Sequence, residues 1–214
     1  MHNQSSSTST STLPSDSYAI MADELWDGTS EISTKNLAVI INGEIIQDVI
    51  SADMLPNHIS TIKLPGCTLL PGLIDAHVHY SSVMGPAFLS AGVTTVRDVG
   101  NDLHWILKER LFNENNKDRG PTIICCGHLQ DGPIKYWPNM GRANINASSV
   151  RSSVREHIEA GVDAIKLYDG LDAKMVSAGI DEAHNLGKPV TAHLVSCTVE
   201  DAVSAGLDCI EHLS

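Results

Sequence analysis

Three octapeptides in this chain begin alike: "AGVTTVRD" at 91–98, "AGVDAIKL" at 160–167 and "AGLDCIEH" at 205–212. Each reads as the end of a helix, a glycine that can close that helix in the left-handed conformation, and a buried strand. A repeat of helix end, glycine and apolar strand builds a parallel sheet, because parallel strands need a crossover and the helix supplies it. Searching for further members gives six expected strands, at about 73–78, 93–98, 121–126, 162–168, 188–194 and 207–213. Apolar stripes mark the helices between them: Leu103, Leu107 and Leu111; Val150, Val154 and Ile158; Val176, Ile180 and Ala183. Thr198, followed by Glu200 and Asp201, reads as an N-cap, and Gly161, Gly187 and Gly206 sit where helices should stop. The repeat fits a closed (β/α) barrel or a doubly wound sheet. No GxGxxG follows the first strand, which weakens the dinucleotide-binding version of the latter.

The texture differs before Leu70. In "LAVIINGEIIQDVIS" (37–51), Asn42-Gly43 stands between two β-branched runs, a strong hairpin signal. The division expected is therefore a disordered Ser/Thr-rich tail at 1–17, a small β unit at 18–69 and an α/β body at 70–214.

With 214 residues and 42% hydrophobic content, the chain can bury a sizeable core. Its net charge of -12, with no cluster of Lys and Arg, argues against nucleic acid or an anionic membrane as partner and favours a small-molecule substrate. The five cysteines are odd in number and lack a CxxC, so they read as reduced thiols. The N-terminus has no apolar or basic signal region and no stretch approaches a membrane span, which gives a cytoplasmic expectation.

Polar residues gather where the strands end: His77 and His79, Asp98, Lys166, His193 and His212. Strands buried on both faces should be Val/Ile/Leu-rich, so each of these needs a partner or a purpose. His77 and His79 lie two apart and share a face, which suits a pair of metal ligands or a pair of hydrogen-bonded core histidines. His193 and His212 are weaker individually, but four of the ten histidines ending apolar runs in three strands is hard to explain by packing. Lys166, between Ile165 and Leu167, is either a lysine that snorkels to the strand end or one of lowered pKa that reacts with carbon dioxide to form an N-carboxylate able to bridge two cations. Aligning the repeats puts Lys166 in phase with Glu211 and not with His212, so a bulge or twist is needed for both to point inward.

Taken in order, "LPGLIDAHVH", "AGVTTVRDVG", "AIKLY", "VTAHL" and "IEHLS" resemble the metal-dependent amidohydrolase superfamily, in its imidazolonepropionase-like and prolidase-like branch. The resemblance covers roughly Tyr18 to Ser214 and includes "GCTLLPG" of the β unit. It implies a partial (β/α)8 TIM-type barrel, strands one to six, preceded by part of a β-sandwich. It also implies a binuclear site of two divalent cations, usually zinc: His77 and His79 on one, His193 and His212 on the other, and N-carboxylated Lys166 between them. The implied reaction is hydrolysis of an amide, cyclic amide or peptide-like carbon–nitrogen bond by a metal-activated hydroxide. Tyr168 shares the face of Lys166 and is a candidate substrate contact.

The resemblance is incomplete. The acid/base aspartate of that family follows its eighth strand and is expected beyond Ser214, so no catalytic residue is assigned; neither Asp75 nor Asp98 matches its motif. A full barrel takes ~250 residues. The chain is accordingly expected to be truncated, inactive or incomplete by itself, and prone to self-association through open barrel edges. Two alternatives stand beside the binuclear hydrolase: a non-catalytic metal-binding or interaction product, and a mononuclear deaminase with no need of Lys166. The loop "GHLQDGPIKYWPNMGR" (127–142) carries Tyr136 and Trp137 near the expected mouth, to stack on a ligand or to cover the barrel.

Overall fold

The computed structural model describes residues 17–212. The Ser/Thr-rich stretch at 1–17 lies outside them except for Ser17, which is buried. The chain divides into two compact units at the Pro71–Gly72 junction.

Among the described residues the first unit is a single five-stranded sheet, in the place where part of a β-sandwich was expected. Strand β1 (Tyr18–Leu25) pairs antiparallel with β2 (Thr34–Lys35) and β3 (Leu37–Asn42), and parallel with β5 (Ser60–Leu69); β4 (Ile45–Ser51) pairs with β3. Ala19, Ile40 and Ile59 form its small core, with Ile50 and Leu55 against them. The hairpin forms one residue later than read: Asn42 pairs with Ile45, leaving Gly43 at φ 60 and Glu44 as the turn. Glycine first is the arrangement of a type II′ turn.

The second unit alternates strands and helices: β6 (Leu73–Val78), α1 (Gly85–Ser90), β7 (Val93–Asp98), α2 (Leu103–Asn115), β8 (Thr122–Cys125), β9 (Leu129–Asp131), β10 (Gly141–Ala143), α3 (Ala147–Ala160), β11 (Ile165–Leu167), α4 (Ala173–Asn185), β12 (Val190–Ala192), α5 (Val199–Ser204) and β13 (Cys209–Ile210). All its strand pairs are parallel. Among the described residues they do not close a barrel. One sheet runs β6-β7-β8 and a second runs β10-β9-β11-β12-β13.

The break between them falls at Gly127 and His128, where the expected third strand bends. Gly127 takes φ 71, and a Cβ there would stand 2.8 Å from Leu103 and 2.9 Å from His157, so only glycine fits the corner. Asp163 bridges the gap: its amide donates to the Cys125 carbonyl (2.9 Å), and its carboxylate accepts from the Cys125 amide (2.9 Å) and from Arg110 (3.0 Å).

Helix ends match their chemistry. Asp102, Asn146, Asp172 and Thr198 each accept an amide of the first helical turn, and Gly161, Gly187 and Gly206 are left-handed. The core beneath the helices includes Val96, Ile123, Val154, Ile165, Leu167, Val176 and Ile180. One stripe was misread. Spacing of four drifts ~40° per step around a helix of 3.6 residues per turn, so Leu111 is 59% exposed while Ile106 and Asn113 are buried on the true inner face. Ile106→Ala should cost about 2–5 kcal/mol by leaving a cavity, whereas Leu111→Ala should stay within about 0.5 kcal/mol. Urea unfolding of both variants checks this, and equal losses would contradict the stripe.

Candidate metal centre

The residues named from the strand ends converge within the second unit. Ring centroids of His77 and His79 are 5.9 Å apart, those of His77 and His212 4.7 Å, and those of His193 and His212 4.9 Å. The four imidazoles thus form a continuous chain of neighbours, contributed by β6 and by the segments following β12 and β13.

Register explains three of these placements. Lys166 pairs with Thr191, which pairs with Cys209, so these three share a face. Two residues on, Tyr168, His193 and Glu211 follow them on that face. His212 would point away, but its backbone turns to φ 69, a left-handed conformation uncommon outside glycine. That turn, placed after β13 ends at Ile210, is the twist the phase mismatch required.

Hydrogen bonds fix which ring nitrogen of each front histidine is free. His79 Nδ1 lies 2.7 Å from the Gly100 carbonyl, which can only accept, so Nδ1 carries the proton and the Nε2 lone pair is free. His77 Nδ1 lies 2.6 Å from a Glu211 carboxylate oxygen. Despite burial, hydrogen bonds from Thr191 and His77 and the nearby cations Lys166 and Arg97 hold Glu211 down to about 2, so it is ionised and accepts here. Desolvation lowers the pKa of His77 and keeps the ring neutral. Both imidazoles are therefore held as Nδ1–H tautomers with Nε2 available.

Lys166 is 1% exposed and its Nζ makes no hydrogen bond. Desolvation lowers its pKa to about 8, and the nearby Glu211 carboxylate only partly opposes this. It does not snorkel. The amine stays in the interior with a substantial neutral fraction at mildly alkaline pH, the form that attacks carbon dioxide.

Other polar groups have structural partners. The Asp98 carboxylate accepts from the Tyr80 amide (2.7 Å), the Gly100 amide (3.2 Å) and Asn101 Nδ2 (2.5 Å), tying down the chain around His79. Asp75 accepts from the His77 amide at 3.2 Å. The phenol of Tyr168 is engaged: its oxygen accepts from Trp137 Nε1 at 3.0 Å, and its ring meets His193 edge-on at 5.1 Å. The 127–142 loop therefore reaches the centre through Trp137.

Sequence reading singled out neither Arg97 nor Asp169. Arg97 Nη2 donates to Glu211 at 2.5 Å and its Nε to the Ala76 carbonyl at 2.6 Å, while Asp169 stands beside His193. The signal for Arg97 was present, since a guanidinium inside a parallel strand needs a partner as much as Lys166 does.

The donor set was tested against a divalent-metal centre. Among the described residues, no three His, Cys, Asp or Glu side chains stand close enough to hold an ion by themselves. Imidazoles whose Nε2 makes no hydrogen bond are suitable donors but need an anionic ligand beside them. An N-carboxylate on the unpartnered Lys166 amine would be such a ligand, and with it the residues fit.

Known structures share this arrangement of elements. A putative prolidase from Bifidobacterium longum superposes with a TM-score of 0.78 at 24% identity, over 92% of this chain and 54% of that one. A Xaa-Pro dipeptidase with bound methionine gives 0.75 at 25% identity, over 92% and 61%. A structure described as an amidohydrolase shares the fold as well, with a TM-score of 0.78 at 23% identity over 92% of this chain and 60% of that one. A. niger ochratoxinase shares it too, with a TM-score of 0.76 at 21% identity over 93% of this chain and 60% of that one. The chain thus spans between 54% and 61% of the length of these proteins. No protein-family model and no curated protein matches the sequence. Among the described residues, no helix is long and apolar enough to cross a membrane.

Glu211 yields a pH prediction. Its pKa falls from the usual 4.5 to about 2 on folding, so its contribution is present above pH 4.5 and is lost as pH drops towards 2. That contribution is on the order of 3 kcal/mol. Glu211→Gln should flatten the loss of stability between pH 4.5 and 2 and, by leaving Arg97 without its counter-ion, destabilise the protein at pH 7. Urea unfolding across that range checks both; an unchanged acid limb would remove Glu211 from this role.

Proposed function

We propose that this chain carries the metal-binding part of a hydrolase of carbon–nitrogen bonds in amides, cyclic amides or peptide-like substrates. In this reading His77 and His79 hold one divalent cation, His193 and His212 hold a second, and N-carboxylated Lys166 lies between the pairs. Zinc is the proposed metal. The observation that supports this most is the conjunction of two imidazoles at the end of β6, locked with Nε2 free, and a buried amine on β11 with no hydrogen-bond partner. A buried amine without a partner is costly, and conversion to a carboxylate gives it ligands to bind.

The bound cations would supply Lewis-acid polarisation of the scissile carbonyl and a lowered pKa for water. The protein's residues do the positioning. Glu211 and the Gly100 carbonyl set the tautomers and orientations of His77 and His79. Arg97 and Thr191 hold Glu211 in turn. Carboxylation of Lys166 joins the neutral amine to the carbon of carbon dioxide and releases one proton, a step favoured by its lowered pKa. Trp137 and Tyr168 border the centre where a substrate would approach.

Among the related folds are a Xaa-Pro dipeptidase and a protein described as an amidohydrolase, and these names support the substrate class. The acid/base group of the reaction is unassigned in the described residues. Oligomeric state is open to the same reading: pairing through the free edge of β13 is proposed.

Zinc content of the chain purified with zinc and bicarbonate tests the proposal. The expected result is two zinc ions per chain and, with 13C-bicarbonate, a carbamate carbonyl resonance that Lys166→Ala abolishes. Lys166→Ala should lose the binuclear stoichiometry. Retention of one ion at full affinity in that variant would favour a mononuclear centre, and no zinc in the unmodified protein would refute the reading.

A further inference from the structure

We propose that Tyr136 and Trp137 form a subsite for an uncharged, ring-bearing apolar side chain of the substrate, held next to the metal centre. This deepens the function proposed above, by naming the kind of side chain the site selects, and rests on it.

The root of the 127–142 loop is built to hold its tip in one place. Leu129, Gln130 and Asp131 are buried at its start and Asn144 just past its end. The Asp131 carboxylate accepts from the Gly132 amide (2.8 Å), the Tyr136 amide (2.7 Å) and the Gly170 amide (3.0 Å), so one side chain ties the loop to itself and to the turn after β11. Gly132 and Gly170 are pressed together there: a Cβ on Gly132 would stand 2.3 Å from the Gly170 carbonyl oxygen. At the tip, the Trp137 carbonyl accepts from the Gly141 amide at 2.8 Å. The aromatic pair therefore projects from a braced turn.

Its rings run back to the metal centre. Trp137 packs edge-on against Tyr136 with centroids 5.3 Å apart, its Nε1–H donates to the Tyr168 oxygen at 3.0 Å, and the Tyr168 ring lies 5.1 Å from that of His193. Yet Tyr136 is 66% exposed and Trp137 44%. Of the two roles open to this pair, covering the interior is the one such exposure argues against, since the loop's own buried anchors already do that. Rigid rings left in water beside a reaction centre gain when an apolar group packs on them, and each has only two side-chain torsions to lose. Edge and face contacts to two rings set at 73° suit a ring on the ligand.

Charge points the same way. The cations of the loop are engaged, Lys135 with the Pro138 carbonyl at 2.5 Å and Arg142 with Glu156 at 2.7 Å. A negatively charged substrate side chain would meet Asp131 and Asp169 beneath the rings with no free cation of the loop to receive it.

The test titrates two zinc-binding hydroxamates, acetohydroxamate and 3-phenylpropanohydroxamate, into the zinc-loaded chain by calorimetry, and follows the indole N–H resonance of Trp137, assigned by its loss in Trp137→Phe. The phenyl ligand is expected to bind at least ~10-fold tighter than the methyl one and to shift that resonance. In Tyr136→Ala, and more so in Tyr136→Ala with Trp137→Ala, the affinity ratio should fall towards one, whereas Trp137→Phe keeps a ring and most of the ratio. Both residues are exposed, so urea stability should be retained. A ratio that survives the double substitution, or a Trp137 resonance that the phenyl ligand leaves in place, overturns the subsite. If zinc binds and neither hydroxamate does, or both bind equally to the unmodified chain, the inference fails and the metal centre stands. If the unmodified protein binds no zinc, both fall.

Discussion

The Glu211 carboxylate is the contact on which the second unit's polar interior depends. It accepts from His77 on β6, Arg97 on β7 and Thr191 on β12, while itself following β13. Those elements belong to two separate sheets, with no ladder joining β6 to β13 among the described residues. One ionised side chain thus links the first and last strands of the unit through its interior. Its low pKa follows from this: every partner stabilises the anion, and together they outweigh its burial.

The strands were legible because each is a short apolar run introduced by a glycine whose backbone conformation the sequence demands. Gly92, Gly161 and Gly206 all take positive φ, and β7, β11 and β13 begin within a few residues of them. The third strand is expected to end at 126 and 127–142 to be a loop, and the two short strands β9 and β10 inside it, which begin a second sheet, were not visible. What divides the sheets is tertiary: Gly127 has Leu103 and His157 pressed against the position its Cβ would fill. Leu111 failed for a simpler reason, as spacing alone does not locate a face once it drifts from the 3.6-residue period.

The candidate site was more legible than the arrangement of the two sheets around it. A histidine or lysine in a strand buried on both faces conflicts with its surroundings, and such conflicts mark functional or specially supported positions. That argument located His77, His79, Lys166, His193 and His212, and the structure gathers the four imidazoles. It could not show how His212 joins them, because the left-handed turn at that residue has no signature in "CIEHLS". Nor could it show Asp169, a residue that reads as ordinary loop chemistry until its neighbour is known.

Charge balance gives the carboxylation of Lys166 a physical rationale within the proposed function. With Lys166 as an ammonium, two cations, Lys166 and Arg97, sit among the carboxylates of Glu211, Asp169 and Asp98. The ammonium would repel a divalent ion approaching the imidazole lone pairs. Conversion of the ammonium to a carboxylate changes the local charge by two units in the negative direction, at the one side chain that lacks a hydrogen-bond partner. The same burial that lowers the Lys166 pKa excludes the water that would otherwise solvate its ammonium. Desolvation thus favours the neutral amine, the amine favours carboxylation, and the resulting anion favours cations beside four histidines.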